Sequence, residues 1–414
     1  MNFQDKIAKL CIDKYKSLKK TGKPRDNEWT VLAGVVLKDE GDNLKIVSLA
    51  TGTKCLGYKE LMNTNLYDMG SRLSDSHAEV LTRRAFIRYL YDQIDQLLSL
   101  NKSQIFVIND GSIEFKYGVS FHFYASHTPC GDCSIIPKEK FKMRVADNGI
   151  DDVDDDDGNP VPKILKLNDD AKADNGTIVE NNSFVDDIHR TGAKIIATEE
   201  KQDLYLPGVN YHTTGPLRTK PGRGDRTLSL SCSDKMAKWN FVGIQGALLS
   251  LFIPVLKLET IVIGNGCPFS MEAMERGLGK RFTDESTLPK IYQSSLMFMH
   301  GKDDYRINPC PSSVIWCSTQ KQDTEIAVEG RKQGATKNKK VNYLLVTRKN
   351  FLKTFLSLIE KHPNFKSIPR HPKKITYYDC KQWSSNYQKS WSNLRANIMK
   401  TWPSKPILLK KFTL

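Results

Sequence analysis

The segment that decides the fold is SDSHAEVLTRRAFIRYLYDQIDQLLSL, residues 74–100. From Ser76 onward, side chains that share one face recur every three or four positions, which predicts a helix to about Leu100. Further along, GVSFHFYAS (118–126) alternates like a strand and runs directly into the sequence HTPC. Strands that alternate with helices predict an α/β core with layered packing.

The rest of the chain continues this alternation. Three further stretches predict strands: WTVLAGVVLK (29–38), LKIVSLATGTK (44–54) and LETIVIG (258–264). Ser233 or Asp234 can cap a helix that we expect to continue to about Phe252. Its part FVGIQGALLSLF is apolar nearly all round, which predicts that this helix is buried.

Length and composition limit the class of protein. The chain has 414 residues, 39% of them hydrophobic, which is enough for a large core and excludes global disorder. No apolar run approaches the roughly 18 residues of a membrane span. The charged N-terminus has no signal core, and the nine cysteines do not suggest a disulfide framework. We expect an intracellular protein, in the cytoplasm, the nucleus or both, with no membrane and no obligate protein partner.

The net charge of +15 is unevenly distributed. Residues 151–187 carry twelve acidic and three basic side chains, which indicates a flexible acidic insertion. Residues 331–414 carry twenty Lys or Arg and two acids, together with eleven Tyr, Phe or Trp side chains that are typical of a folded region. These cations either form a solvated face, or bind RNA at the surface, or surround a phosphorylated ligand.

Two short motifs contain residue types that can bind a metal ion and transfer protons. His77-Ala78-Glu79 opens the first predicted helix, and Pro129-Cys130-Gly131-Asp132-Cys133 lies where a strand is expected to meet a helix. Together they fit the H-x-E and P-C-x-x-C pattern of zinc-dependent nucleobase deaminases. An imidazole and two thiolates can hold Zn²⁺ with one position open for water, while the glutamate moves protons.

The third metal ligand has two candidates. Cys133 has the C-x-x-C spacing, but Cys232 also lies at a predicted strand-to-helix junction, within SCSDK. Local spacing does not choose between them.

Several longer segments resemble the adenosine-to-inosine RNA deaminase family. They are SDSHAEVLTRR (74–84), TPCGD (128–132), LRTK (217–220), SCSDKMAKWNFVGIQGALLS (231–250) and TYYDCKQWSSNYQ (376–388). The resemblance extends from about Trp29 to the C-terminus. It implies a cytidine-deaminase-like core of three layers, a mixed sheet with helices on both faces. Residues 1–414 would form one deaminase domain, with a helical extension (1–28), the acidic insertion (151–187) and a largely helical basic part (331–414) that encloses a polyanion.

The resemblance also implies roles for individual residues. His77, Cys130 and Cys232 would bind zinc, Glu79 would shuttle protons, and Cys133 would be dispensable. Asp75 and Lys220 match a polar relay between the zinc site and a buried inositol hexakisphosphate. The residues that match the inositol phosphate site are Arg83, Arg84, Lys235, Lys238, Arg348, Tyr377, Lys381, Tyr387, Trp402 and Lys405.

The inositol phosphate would explain two features of the sequence. Arg84 interrupts an apolar helix stripe, and Lys235 and Lys238 lie near a helix N-terminus, where the helix dipole disfavours cations. The sequence departs from the family pattern at Ser74, Ala247 and Trp391, where relatives use other ligand residues.

The resemblance favours tRNA as the substrate. Thr53 and Lys54 match the loop near the deaminated nucleotide, and Arg218, Arg223 and Arg226 are candidate phosphate contacts. The loop KPGRGDRT (220–227) resembles the tRNA-specific branch, and the deaminase domain leaves no room for domains that bind duplex RNA. The implied target is adenosine 37 in the anticodon loop of alanine tRNA. The alternatives are an editor of duplex or messenger RNA and a non-catalytic RNA-binding protein.

Overall fold

The computed structural model describes residues 1–63, 69–138, 141–142, 184–185, 187–196, 202–204, 206, 208–222, 225–282, 288–320, 324–335, 343–362 and 374–414. Nearly all of the acidic segment 151–187 and the candidate phosphate contact Arg223 lie outside the described residues.

The described chain contains strands and helices along its whole length. The strands are β1 (Glu28–Trp29), β2 (Leu32–Lys38), β3 (Leu44–Thr51), β4 (Thr53–Cys55), β5 (Asp75–His77), β6 (Phe106–Asn109), β7 (Ser112–Phe115), β8 (Ser120–Ala125), β9 (Ile136–Pro137), β10 (Phe141–Lys142), β11 (Phe184–Val185), β12 (Ile188–His189), β13 (Lys194–Ile195), β14 (Arg218–Thr219), β15 (Thr260–Asn265), β16 (Lys290–Met297), β17 (Asn308–Pro309), β18 (Ser312–Cys317), β19 (Glu325–Val328) and β20 (Arg331–Lys332). The α-helices are α1 (Phe3–Ser17), α2 (Tyr58–Met62), α3 (Ala78–Leu100), α4 (Cys232–Val242), α5 (Met271–Glu275), α6 (Arg348–Lys361), α7 (Tyr377–Gln382) and α8 (Ser385–Asn397).

Eight strands form one mixed sheet in the order β16-β15-β8-β2-β3-β18-β19-β20. Strands β16, β15 and β8 are parallel to one another, and every other neighbouring pair is antiparallel. The strand and helix predictions near residues 29–54, 76–100 and 118–126 are confirmed, and so is the α/β class.

The side chains of β2 alternate between two cores. Ala33, Val35 and Leu37 pack with α3 on one face, whereas Leu32 and Val36 pack with α1 on the other. Both faces of this strand are therefore covered, which explains why LAGVVL is an uninterrupted apolar run.

Helix α1 is a layer of the core. Asn2 caps its N-terminus by accepting a hydrogen bond from the Asp5 amide, and Ile7 and Cys11 are fully buried. The Asp5 carboxylate accepts hydrogen bonds from the Ser294 hydroxyl and the Ser295 amide, each at 2.7 Å. The predicted N-terminal helical extension is thus attached to the edge strand β16.

The prediction of one helix from about Ser233 to Phe252 is wrong in its length. Ser231 caps α4, which ends at Val242 because Gly243 has φ +85° and turns the chain. Gly246, with φ +78°, turns it again before the 3₁₀ turn Leu249–Leu251. The predicted burial of this stretch is confirmed, since Leu249 and its apolar neighbours lie in the main core.

Three helices, α6, α7 and α8, lie in the C-terminal region. Helix α6 packs on α3, α7 on α6, and α8 on α4. A capping box between Thr376 and Asp379 begins α7. In the described residues, no helix is long and apolar enough to cross a membrane.

Candidate active site

The first motif lies where the short strand β5 becomes helix α3. His77 is the N-cap residue of α3, and Glu79 lies in its first turn with only 4% of its surface exposed. The Asp75 carboxylate accepts a hydrogen bond from the His77 amide and lies 3.0 Å from His77 Nδ1. This contact fixes the imidazole orientation through Nδ1, in the way that carboxylates orient histidine ligands.

The second motif meets a residue far away in sequence. The Cys232 amide donates a hydrogen bond to Cys130 Sγ at 3.3 Å, and the Ser233 amide donates to the Cys130 carbonyl at 3.0 Å. Cys232 is the first residue of α4, as expected. Cys130, however, precedes only the 3₁₀ turn Asp132–Ser134, so the expected helix after this cysteine is absent from the described chain.

The two thiols differ in their ionisation. The pKa of Cys130 is lowered, chiefly by a hydrogen bond from Cys232 and also by the positive charge of Lys220, although burial and Glu79 oppose this. The pKa of Cys232 is raised, first by burial and then by its neighbour Cys130. Of the two sulfurs, Cys130 is therefore the one that its surroundings favour as a thiolate.

The Cys133 side chain packs against Met274 and Gly277. Its thiol is buried 3.9 Å from the Met274 carbonyl, and burial raises its pKa to about 12. It packs against Gly277, where a Cβ would lie only 2.4 Å from the sulfur. Of the two sequence candidates, the one that contacts Cys130 through its sulfur is Cys232.

The predicted relay residues lie together behind this group. Lys220 Nζ is 3.0 Å from Asp75 Oδ2 and 3.1 Å from Cys232 Sγ, and Lys235 also binds the Asp75 carboxylate. Burial alone would raise the pKa of Asp75, but Lys220, Lys235 and His77 hold it well below its usual value.

The side chains present suit a zinc ion by type. Within the described residues, no three His, Cys, Asp or Glu side chains already form a group spaced to hold a metal. One oriented imidazole and two adjoining cysteine sulfurs, one of them favoured as thiolate, nevertheless match the donor set of zinc deaminases.

A basic cavity of about 280 Å³ lies on the far side of Asp75. All ten residues that the sequence assigns to the inositol phosphate site line it: Arg83, Arg84, Lys235, Lys238, Arg348, Tyr377, Lys381, Tyr387, Trp402 and Lys405. Arg72, which the sequence prediction missed, is an eighth lining cation, against the single carboxylate of Asp75. Its position two residues before Ser74 was the only signal in the sequence.

The cations of this cavity disfavour one another's charge. Burial, followed by repulsion from Arg348, lowers the pKa of Lys405 to about 7, that of Lys381 to about 8 and that of Arg84 to about 9. Burial likewise places the pKa of Lys238 well below its usual value. A cavity that penalises its own charges in this way is stable in the charged form only with an anion inside.

The three departures from the family pattern all lie at this cavity. Ser74 accepts a hydrogen bond from Lys405 Nζ at 3.1 Å, and Ala247 is part of the lining. Trp391 packs beneath Lys238, whose Nζ lies 3.4 Å from the ring centroid.

The residues that the resemblance implies as RNA contacts differ in how far they are exposed to solvent. Thr53 pairs with His77 between β4 and β5, and its buried hydroxyl has no hydrogen-bond partner in the described part of the chain. Lys54 is half-buried beside it, and Arg226 is exposed.

Arg218 does not have the predicted surface position. Its side chain is fully buried and forms an ion pair with Asp203, and its Nη1 also donates to the Ala193 carbonyl at 3.1 Å. The structure therefore gives Arg218 an internal ion pair in place of a phosphate contact.

The profile of the adenosine-deaminase (editase) domain matches residues 48–406. The chain belongs to this family. The deaminase is 33% identical to tRNA-specific adenosine deaminase 1 of Homo sapiens, over 97% of this chain and 98% of that protein. It is also 33% identical to the protein of the same name from Drosophila melanogaster, over 98% of this chain and 96% of that protein. The double-stranded RNA-specific editase Adar of Drosophila melanogaster is 33% identical as well, but over 63% of this chain and 33% of that protein.

Proposed function

We propose that this protein is a zinc-dependent deaminase that converts adenosine to inosine in tRNA, and that its target is adenosine 37 of alanine tRNA. The observation that carries the chemistry is the contact between Cys130 and Cys232 beside His77 and Glu79. The similarity to proteins named tRNA-specific adenosine deaminase 1, which extends over nearly the whole chain, supports the substrate. Because α1 is packed on the sheet, we treat residues 1–414 as one deaminase domain.

His77, Cys130 and Cys232 would hold the zinc. The contact between Asp75 and Nδ1 of His77 would help to orient this ligand. When bound, the zinc would supply an acidified water molecule as the nucleophile. Lys220 compensates the negative charge that accumulates when Cys232 also becomes a thiolate, because its ammonium already contacts that sulfur.

Glu79 moves the protons. Its buried carboxylate takes a proton from the attacking water, delivers it to N1 of adenine, and then carries the second proton to the leaving amino group. Adenosine and water thereby become inosine and ammonia. A purely structural metal site would not need this carboxylate.

The basic cavity would hold inositol hexakisphosphate as a structural ligand. Among the described residues, eight cations and the Asp75 carboxylate line it, and only Arg72 of the eight pairs with a carboxylate outside the lining, that of Glu60. Burial lowers the pKa of several of the others. A dense polyanion removes this penalty because it interacts favourably with every charged form. Through Lys235, Asp75 and Lys220, such a ligand would connect with the sulfur of Cys232.

The tRNA would present its anticodon loop to the β4 side of the site. The unpaired hydroxyl of Thr53 is placed beside His77, and Lys54 and Arg226 are the remaining candidate contacts, with Arg223 as an untested fourth. An adenosine in a loop is already single-stranded, so its extrusion costs little.

The decisive experiment measures inosine formation in an alanine tRNA transcript, read as A-to-G by reverse transcription. Wild type is compared with Glu79→Gln, which keeps the side-chain shape, and a long duplex RNA serves as the competing substrate. We expect conversion at one anticodon-loop adenosine, absent in the variant. Conversion only in the duplex would assign the protein to the editors of duplex RNA. No conversion of either RNA by metal-replete wild type would favour an RNA-binding protein without activity.

A further inference from the structure

Each candidate cysteine ligand is followed two residues later by a buried aspartate. The segments are Cys130-Gly131-Asp132 and Cys232-Ser233-Asp234, and the two carboxylates are 0% and 1% exposed. Buried carboxylates are costly unless cations pair with them. The function proposed above assigns no role to either aspartate.

One arginine reaches both carboxylates. Arg281 follows the π-helical turn Arg276–Lys280, and its side chain is 4% exposed. Its Nη1 lies 3.6 Å from Asp132 and its Nη2 lies 2.5 Å from Asp234. Nη1 also donates a hydrogen bond to the Gly215 carbonyl at 2.9 Å. The guanidinium therefore connects the Cys130 and Cys232 segments, which are about a hundred residues apart in the chain.

A neighbouring arginine, Arg276, contacts the chain around Asp132 but not the Cys232 segment. Arg276 donates from Nε to Asp132 at 2.7 Å, and from Nη2 to the carbonyls of Asp132 and Ile135. Two of these acceptors belong to Asp132 and the third lies three residues further along the chain, so none belongs to the Cys232 segment. Arg276 thus compensates one of the same buried carboxylates without joining the two segments, which makes it a matched control for Arg281.

We propose that Arg281 is a positioning residue that sets the separation of the Cys130 and Cys232 sulfurs for zinc, acting through Asp132 and Asp234. This inference rests on the proposed zinc site. A guanidinium is a rigid planar group, so its hydrogen bond to Asp234 and its ion-pair contact with Asp132 restrain the two carboxylates relative to each other. Ser233 already links the two segments through a hydrogen bond from its hydroxyl to the Cys130 carbonyl at 2.9 Å. The amides of Cys232 and Ser233 also donate to Cys130, to its sulfur and its carbonyl respectively. Arg281 adds a link at the other end of each Cys-x-Asp unit, between the two aspartates.

The test is the rate of zinc release from purified protein into a chromogenic chelator, with no RNA present. Loss of an outer-shell partner typically costs 10–100-fold in metal affinity, so we expect Arg281→Met to release zinc about 10–100-fold faster than wild type. Arg281→Lys keeps the positive charge but lacks the planar guanidinium, and it should release zinc about tenfold faster than wild type. It provides the comparison if Arg281→Met does not fold. Arg276→Met should stay close to the wild-type rate.

Two further variants separate positioning from stability. Val262→Ala removes a buried side chain on the α1 face of the sheet, so it should lower the urea midpoint without faster zinc release. Asp234→Asn in the Arg281→Met background removes the unpaired charge, so it should restore stability but not zinc retention. Equal release rates in the Arg276 and Arg281 variants, or full rescue of retention by Asp234→Asn, would overturn the inference. Wild type without zinc would instead refute the proposed metal site itself, before any variant is compared.

Discussion

Lys220 and Asp75 form a buried ion pair in which Nζ lies 3.0 Å from Oδ2. The two side chains are 1% and 5% exposed. Lys220 also contacts the sulfur of Cys232, and Asp75 contacts both His77 and Lys235, a residue of the basic cavity. The pair therefore joins the candidate zinc ligands to the cavity. A substitution in either region consequently alters the electrostatic environment of the other.

Breaking this pair should destabilise the protein. Lys220→Met leaves the Asp75 carboxylate without one of its cations, and removal of one partner of a buried pair costs about 3–5 kcal/mol of unfolding free energy. Urea denaturation of the two single variants and of Lys220→Met/Asp75→Asn measures the coupling. We expect the double variant to lose less than the sum of the single losses. Strict additivity would show that the two charges do not interact.

The same pair predicts the response to acid. The pKa of Asp75 is held below its ordinary value in the folded state, so its contribution to stability is complete above the unfolded pKa of about 4 and is lost as the pH falls through the lower folded value. Asp75→Asn should therefore flatten the fall of stability below about pH 4. The measurement is the urea midpoint at several pH values, with the exposed Asp26 changed to Asn as a control.

Zinc content should distinguish Cys232 from Cys133. Cys232→Ala removes the thiol that hydrogen-bonds to the Cys130 sulfur, so the purified variant should contain no zinc and have no activity. Cys133→Ala should keep its zinc and lose only packing against Gly277. Metal analysis of both proteins tests this, and zinc loss in the Cys133 variant alone would reverse the assignment.

The basic cavity predicts that Lys405 lowers the stability of the folded protein when the polyanion is absent but helps to hold the polyanion when it is present. Without the polyanion, the folded pKa of Lys405 is about 7 and the unfolded pKa about 10.4, so the unfolded state binds more protons between these values and stability rises with pH. Lys405→Met should therefore stabilise the stripped protein at pH 7 to 8 and weaken its retention of inositol hexakisphosphate. Thermal melts with and without the ligand test both effects.

Lys361→Met is the control, since Lys361 lies exposed on α6. Wild type that purifies without any phosphate-rich ligand would contradict the cavity assignment.

Thr53 offers a substitution that separates activity from folding. Because its buried hydroxyl has no partner in the described residues, Thr53→Val should leave the urea midpoint nearly unchanged. If that hydroxyl binds the substrate, kcat/KM for tRNA should fall about tenfold, the equivalent of one hydrogen bond of about 1.4 kcal/mol. An unchanged kcat/KM would remove Thr53 from the substrate site.

Much of the fold was predictable because it is encoded by local patterns. The period of the segment after Ser76 predicts α3, and the alternation before His127 predicts β8. The end of α4 at Gly243 was missed, because apolar periodicity continues through the two glycines and only their positive φ angles stop the helix. Similarly, nothing in the sequence shows that Arg218 pairs with Asp203 inside the protein, because that pairing depends on how strand β14 packs against a segment that precedes it in the chain.

By itself, the sequence determined which chemical groups this protein has and on which kind of element they lie. A histidine and a glutamate two positions apart at a helix start, cysteines at predicted strand-to-helix junctions, and an excess of cations are all properties of composition and spacing. Only the tertiary structure decided which of these groups meet. It placed Cys232 rather than Cys133 against Cys130, and it brought Arg281 to Asp132 and Asp234. The physical reason is that periodicity acts over a few residues, whereas the separation of atoms a hundred residues apart depends on how the elements pack.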